Sequence, residues 1–162
     1  MKKLFLVLIL IFSLSACSSD SGTSANDADV IRYYDMIELI NSYSNFSTSS
    51  NYFDISGEIS DIDGGYRYYI FIDNARVTMY DIEAIAIEKG VDYSNTMTAN
   101  IGIFESDEYH MVPNQSDIDL GYVKGVSISG FTTTENPTLY VLVQWKNKNR
   151  DTTYREFFEI DL

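Results

Sequence analysis

The 162-residue chain has one cysteine, one histidine, one tryptophan, two prolines and only eleven basic residues. A lone cysteine excludes an internal disulfide and any zinc centre built on several thiolates. A lone histidine, His110, excludes a metal centre built on histidines. Eleven Lys and Arg against 24 Asp and Glu, net −13, remove the attraction that supplies most nucleic-acid affinity, so no DNA or RNA partner is expected. Gly-rich phosphate loops, dinucleotide fingerprints, Gly-x-Ser-x-Gly elbows and Cys-x-x-Cys pairs are all missing. No cofactor, metal or catalytic residue is therefore assigned. Disorder is excluded by what is present: 45% hydrophobic and 14% aromatic residues can bury enough surface to offset the entropy of ordering. The length suits one domain.

Long hydrophobic runs are missing too. The apolar stretch from Leu4 to Phe12 follows Lys2 and Lys3 and falls far short of the roughly 20 residues that span a bilayer. With Ser13 to Ala16 behind it, the stretch has the form of a signal peptide. Leu14-Ser15-Ala16-Cys17 then resembles the lipobox of bacterial lipoproteins. That resemblance implies diacylation of the Cys17 thiol with palmitate-type chains, cleavage just before Cys17, and a mature protein held on the extracytoplasmic face of a bacterial membrane. It covers residues 1–17 only. Two acyl chains make a stable anchor where a single one is marginal. Loss of the leader's two lysines leaves nine bases against 24 acids, a mature charge of −15. Such a surface is not drawn to anionic headgroups, so the attachment falls to the lipid.

Residues 17–29 comprise the lipidated cysteine and a Ser-, Asp- and Gly-rich spacer with no large apolar side chain, expected to be flexible and to reach about 20 Å. From Val30 the period becomes helical. A helix is expected over about residues 28–43, capped by Asp27 or Asp29, with Val30, Tyr34, Ile37 and Asn41 along one stripe and Tyr33, Ile31 and Ile40 beside it. Packing of its apolar face on its own domain is preferred to capture of a partner. A polar linker, expected as a second flexible joint, completes residues 30–50.

Residues 51–162 read as strands with period two. Candidates are 52–60, 66–73, 78–88, 97–104, 122–132, 139–146 and 153–160, with Asp63, Gly64 and Gly65 supplying the first turn. Residues 81–89 also carry helix signals, but the alternation of Ile85 and Ile87 with smaller neighbours favours a strand. About seven strands predict a mainly β fold: an immunoglobulin-like antiparallel β-sandwich preceded by a short N-terminal helix. Trp145, sharing a face with Leu139, Val141 and Val143, is expected in its core.

Chemistry is sparse. His110 lies in the longest irregular stretch, residues 105–119, and is the one residue on which a surface hydrolase could rest. Asp61-Ile62-Asp63-Gly64 opens like a calcium loop but breaks the EF-hand spacing, and Asp107, Glu108, Asp117 and Asp119 are further exposed acids. Tyr66, Tyr68 and Ile70 share one face of a strand, and Tyr69 and Phe71 share the other, so this strand is either buried on both faces or carries an aromatic platform. The resulting expectation is a non-catalytic envelope module that binds a protein or glycan partner through loops or a sheet edge. A carbohydrate-binding module using exposed aromatics is the alternative, with the His110 hydrolase behind it.

Overall fold

The computed structural model describes residues 26–93 and 96–162. The leader, Cys17 and most of the spacer lie outside these residues. One helix, α1 (Asp27–Ser42), precedes seven strands: β1 (Asp54–Ile62), β2 (Gly65–Asp73), β3 (Tyr80–Glu88), β4 (Asn100–Ile101), β5 (Gly125–Thr132), β6 (Thr138–Lys146) and β7 (Thr153–Asp161). A 3₁₀ turn, Ile118–Leu120, interrupts the loop before β5.

Two antiparallel sheets face each other, one in the order β1-β2-β5 and the other β4-β3-β6-β7. This is the strand order of an immunoglobulin-like sandwich in which the fourth strand joins the sheet of β3, β6 and β7. Alternation supplies the facing surfaces: Tyr68, Ile70 and Ile72 of β2 meet Ala84 and Ala86 of β3 and Leu139, Val141, Val143 and Trp145 of β6 in one core. Tyr68 fits because Gly130 stands opposite it on β5; a Cβ there would lie 2.2 Å from the tyrosine oxygen.

Strands β3 and β6 are apolar on both faces because α1 covers the outside of their sheet. Tyr33, Met36, Ile37 and Ile40 pack on Ile85, Ile87 and Leu142. Each such side chain contributes roughly 1.5–3 kcal/mol on burial. The helix is capped by Asn26, whose side chain accepts from the Asp29 N–H at 3.0 Å, instead of by Asp27 or Asp29, which sit in the first turn where acids suit the dipole. The buried stripe lies one position round from the expected one: Val30, Ile31 and Tyr34 are exposed.

Three further expectations change. The polar segment after α1 is fastened down: Ser47 bridges the edge of β7 through Ser47 N–H to Phe157 O and Glu159 N–H to Ser47 O, at 2.9 and 3.0 Å. Tyr43 stacks on Phe157 and Phe46 on Tyr140, with centroids 3.8 and 4.1 Å apart. The strand expected at 97–104 shrinks to two residues, since Gly102 turns the chain at φ +76° at a position where a Cβ would lie 2.2 Å from Ile82 O. The strand expected from 122 begins at Gly125, because Tyr122 pairs instead with His110 and Asp117 in the preceding loop. Residues 81–88 are a strand, as the alternation indicated.

Candidate functional site

Register brings the largest loops to one end of the sandwich. Asp73 stands opposite Gly125, Tyr80 opposite Lys146 and Lys146 opposite Thr153, so the segments 74–79, 102–124 and 147–152 emerge together. In immunoglobulin-like folds such an end is a usual place for ligand contacts.

His110 sits inside this end, 5% exposed. Backbone bonds from His110 N–H to Gly121 O and from Val123 N–H to His110 O hold it, both at 2.9 Å. Opposite, the β3–β6 ladder slips between Tyr80 and Glu83, and Asp81 adopts φ +49°. That conformation points the Asp81 N–H at His110 Nδ1, 3.1 Å away. The Asp81 carboxylate meets Lys146 Nζ at 2.9 Å, Arg150 at 3.4 Å and Nδ1 at 3.7 Å. Burial alone would raise its pKa, but the Lys146 hydrogen bond and the charges of Arg150, Lys146 and His110 hold it below the ordinary carboxylate value. Arg150 lies over the Tyr80 ring at 4.5 Å, with Nη2 3.1 Å from His110 Nε2 and Nη1 3.3 Å from Glu108.

This geometry bears on two readings. His110 Nδ1 accepts the Asp81 N–H and Nε2 faces the Arg150 guanidinium, so each ring nitrogen already has a protein group against it. Asp81, Glu108 and His110 are the one group of potential metal ligands that converges among the described residues, and the Arg150 guanidinium already lies among them. These residues therefore fit a guanidinium rather than a metal ion. Among the described residues no serine or threonine hydroxyl bonds the ring, so a nucleophile and base are not brought together at His110. Of the other acids considered, Asp117 caps the 3₁₀ turn by accepting from Asp119 N–H, while Asp61 and Asp63 flank the β1–β2 turn in solvent.

Beside the network, at the same end, is a cleft of about 470 Å³ walled by aromatics. Trp145 forms its base. Tyr154 stacks on it at 5.7 Å and 16°, Tyr52 tilts across it at 5.6 Å and 59°, and Phe53 packs edge-on behind. Thr78, Asn147, Lys148 and Arg76 supply the polar lining. The sequence places Trp145 in the core correctly and puts Tyr52 at the start of the first expected strand, but β1 begins at Asp54 and Tyr52 lies outside every strand.

The third feature is a bare sheet face. On the outside of β1-β2-β5, Tyr69 and Phe71 stand next to each other on β2 with ring planes 12° apart and centroids 6.2 Å apart. Register sets Ser56 and Ser127 beside Phe71, Glu58 and Ser129 beside Tyr69, and Phe131 beside Arg67. Both rings are partly exposed, and these six neighbours are all exposed. The sequence allowed a strand buried on both faces or one with an exposed aromatic face; Tyr69 and Phe71 are partly exposed, and Phe131 was not anticipated near them. Among the described residues no helix is long and apolar enough to cross a membrane. Comparison with protein-family models, with curated proteins and with solved structures finds no match, so the functional argument rests on the chemistry of these surfaces.

Proposed function

We propose that this chain is a lipid-anchored, non-catalytic module of the bacterial cell envelope that binds glycan on the outer face of its β1-β2-β5 sheet. One observation carries the reading: two nearly parallel, partly exposed aromatic rings on a sheet face that no other described element covers, lined on both sides by serines. A sugar ring presents a face of C–H bonds, polarised positive, that complements the negative face of an aromatic ring. Its hydroxyls need short donors and acceptors at the rim. Ser56, Ser127 and Ser129 with Glu58 and Arg67 provide them without blocking access to the rings. A protein partner docking here would favour larger apolar side chains in place of the serines. The anchor at Cys17 and the extracytoplasmic location follow from the lipobox resemblance, and an acidic surface without a basic patch supports attachment by lipid.

The test is retention of the acylated protein, in mild detergent, on purified insoluble cell-wall glycan. Each ring contributes on the order of 1 kcal/mol, so the double variant Tyr69→Ala/Phe71→Ala is expected to weaken retention by about tenfold or more. The two side chains lie outside the core, and the circular dichroism spectrum should be unchanged. Equal retention of both proteins would overturn the reading, as would failure of the unaltered protein to bind any envelope glycan.

A further inference from the structure

We propose that the Tyr52–Trp145–Tyr154 cleft is a second and chemically distinct site, for a carboxylate-bearing sugar of the uronic acid class. The site goes beyond the glycan reading above, since it shares no residue with the sheet face and lies at the loop end.

Three observations converge on this ligand. The first is shape. Tyr52 and Tyr154 lie 6.5 Å apart with ring planes at 53°, and Trp145 closes the space behind them. The two tyrosines are exposed while Trp145 is 2% exposed, so the aromatic floor is set by packing before anything binds. A cleft of about 470 Å³ falls within the range that small ligands occupy.

The second is charge. Of the nine basic residues in the mature chain, five bind carboxylates directly: Arg32, Arg76, Lys89, Lys146 and Arg150. Lys148 makes no ion pair among the described residues and is exposed at the cleft. No Asp or Glu lines the cleft, although acids outnumber bases by more than two to one along the chain. An anion approaching most of this surface is repelled. At this cleft it finds an unpartnered ammonium beside an aromatic wall.

The third is the polar complement. Thr78 offers a hydroxyl, which reads a sugar hydroxyl as donor or acceptor, while the Asn147 amide bonds Asp151 through both Nδ2 and Oδ1 and shapes the turn that presents Lys148. Together the rings take the apolar face of a sugar, Thr78 takes a hydroxyl, and Lys148 takes the carboxylate.

Trp145 makes the site directly observable, because it is the sole tryptophan and forms the cleft floor. The acylated protein in detergent is titrated with a galacturonic acid oligosaccharide and, in parallel, with a neutral glucose oligosaccharide, following tryptophan emission. A saturable change with the acidic probe is expected, at affinity about tenfold above the neutral one and weakened by salt. Lys148→Glu, in an exposed turn, should lower the acidic affinity by at least about tenfold while leaving unliganded emission and circular dichroism unaltered. Lys148→Arg should retain it. Tyr69→Ala/Phe71→Ala should leave this titration unchanged, so the two sites succeed or fail separately. No saturable response, equal affinity for the acidic and neutral probes, or insensitivity to Lys148→Glu would each overturn the proposal.

Discussion

Asp81 has two roles at one position: its backbone bends out of the β3 ladder at φ +49°, and its carboxylate then sits between Lys146, Arg150 and His110. Asparagine tolerates the same conformation, so Asp81→Asn removes the charge and leaves the bend. A loss of about 1–2 kcal/mol is expected at neutral pH, the scale of a hydrogen bond to a charged group. The sign with pH follows from the direction of the shift. A carboxylate held below its ordinary pKa contributes stability that is present above that value and lost as pH falls through the lowered one. Urea unfolding of the two proteins should therefore differ at pH 7 and converge as pH falls through the lowered Asp81 value. A gap that persists unchanged at acid pH would show that the carboxylate charge is not what matters. None of this network is legible in the sequence beyond His110 itself, which stands out because it has no sibling. Its partners lie 29 residues before and 40 after it, and a left-handed residue inside an apolar alternation leaves no local mark.

At the level of elements, α1 shows why existence and type are readable and facing is not. The first two turns carry Val30, Ile31, Tyr33 and Tyr34, apolar almost all round, so the sequence supplies several equivalent stripes. The shape of the β3–β6 surface chooses the one through Tyr33, Met36, Ile37 and Ile40. The same logic explains β4, where an apolar run reads as eight residues of strand and Gly102 with its neighbours allows two. Two substitutions test whether the helix is an integral layer. Ile40→Ala empties a site 1% exposed between helix and sheet and should cost about 2–4 kcal/mol. Ile31→Ala, at 61% exposure, should change stability by less than about 0.5 kcal/mol. Denaturant titration of both variants decides it. If Ile40→Ala is as mild as Ile31→Ala, the helix is not held by this packing.

For the whole molecule, the two outer faces of the sandwich differ in what they are given to do. The β4-β3-β6-β7 face is closed by α1, the element that the spacer from Cys17 enters, and the β1-β2-β5 face carries the aromatic ridge. The ridge is therefore on the opposite side of the sandwich from the helix that connects to the proposed anchor. A glycan-binding surface on a tethered domain needs this separation, because a ridge turned to the headgroups would meet lipid before polysaccharide. Net charge acts in the same direction. On the lipoprotein proposal, a mature chain at −15 would be pushed off anionic lipid and would depend on its acyl chains for attachment. Fractionation of the native host separates the two modes of attachment. Washing membranes at high salt screens charge but leaves acyl chains inserted, so the unaltered protein should remain bound. Cys17→Ala removes the acylated thiol and should move the protein out of the membrane fraction at ordinary salt. If the variant stays as firmly in the membrane fraction as the parent, the lipoprotein reading is wrong. If salt alone releases the parent, the anchor is electrostatic and its cationic partner must lie elsewhere than on this acidic domain.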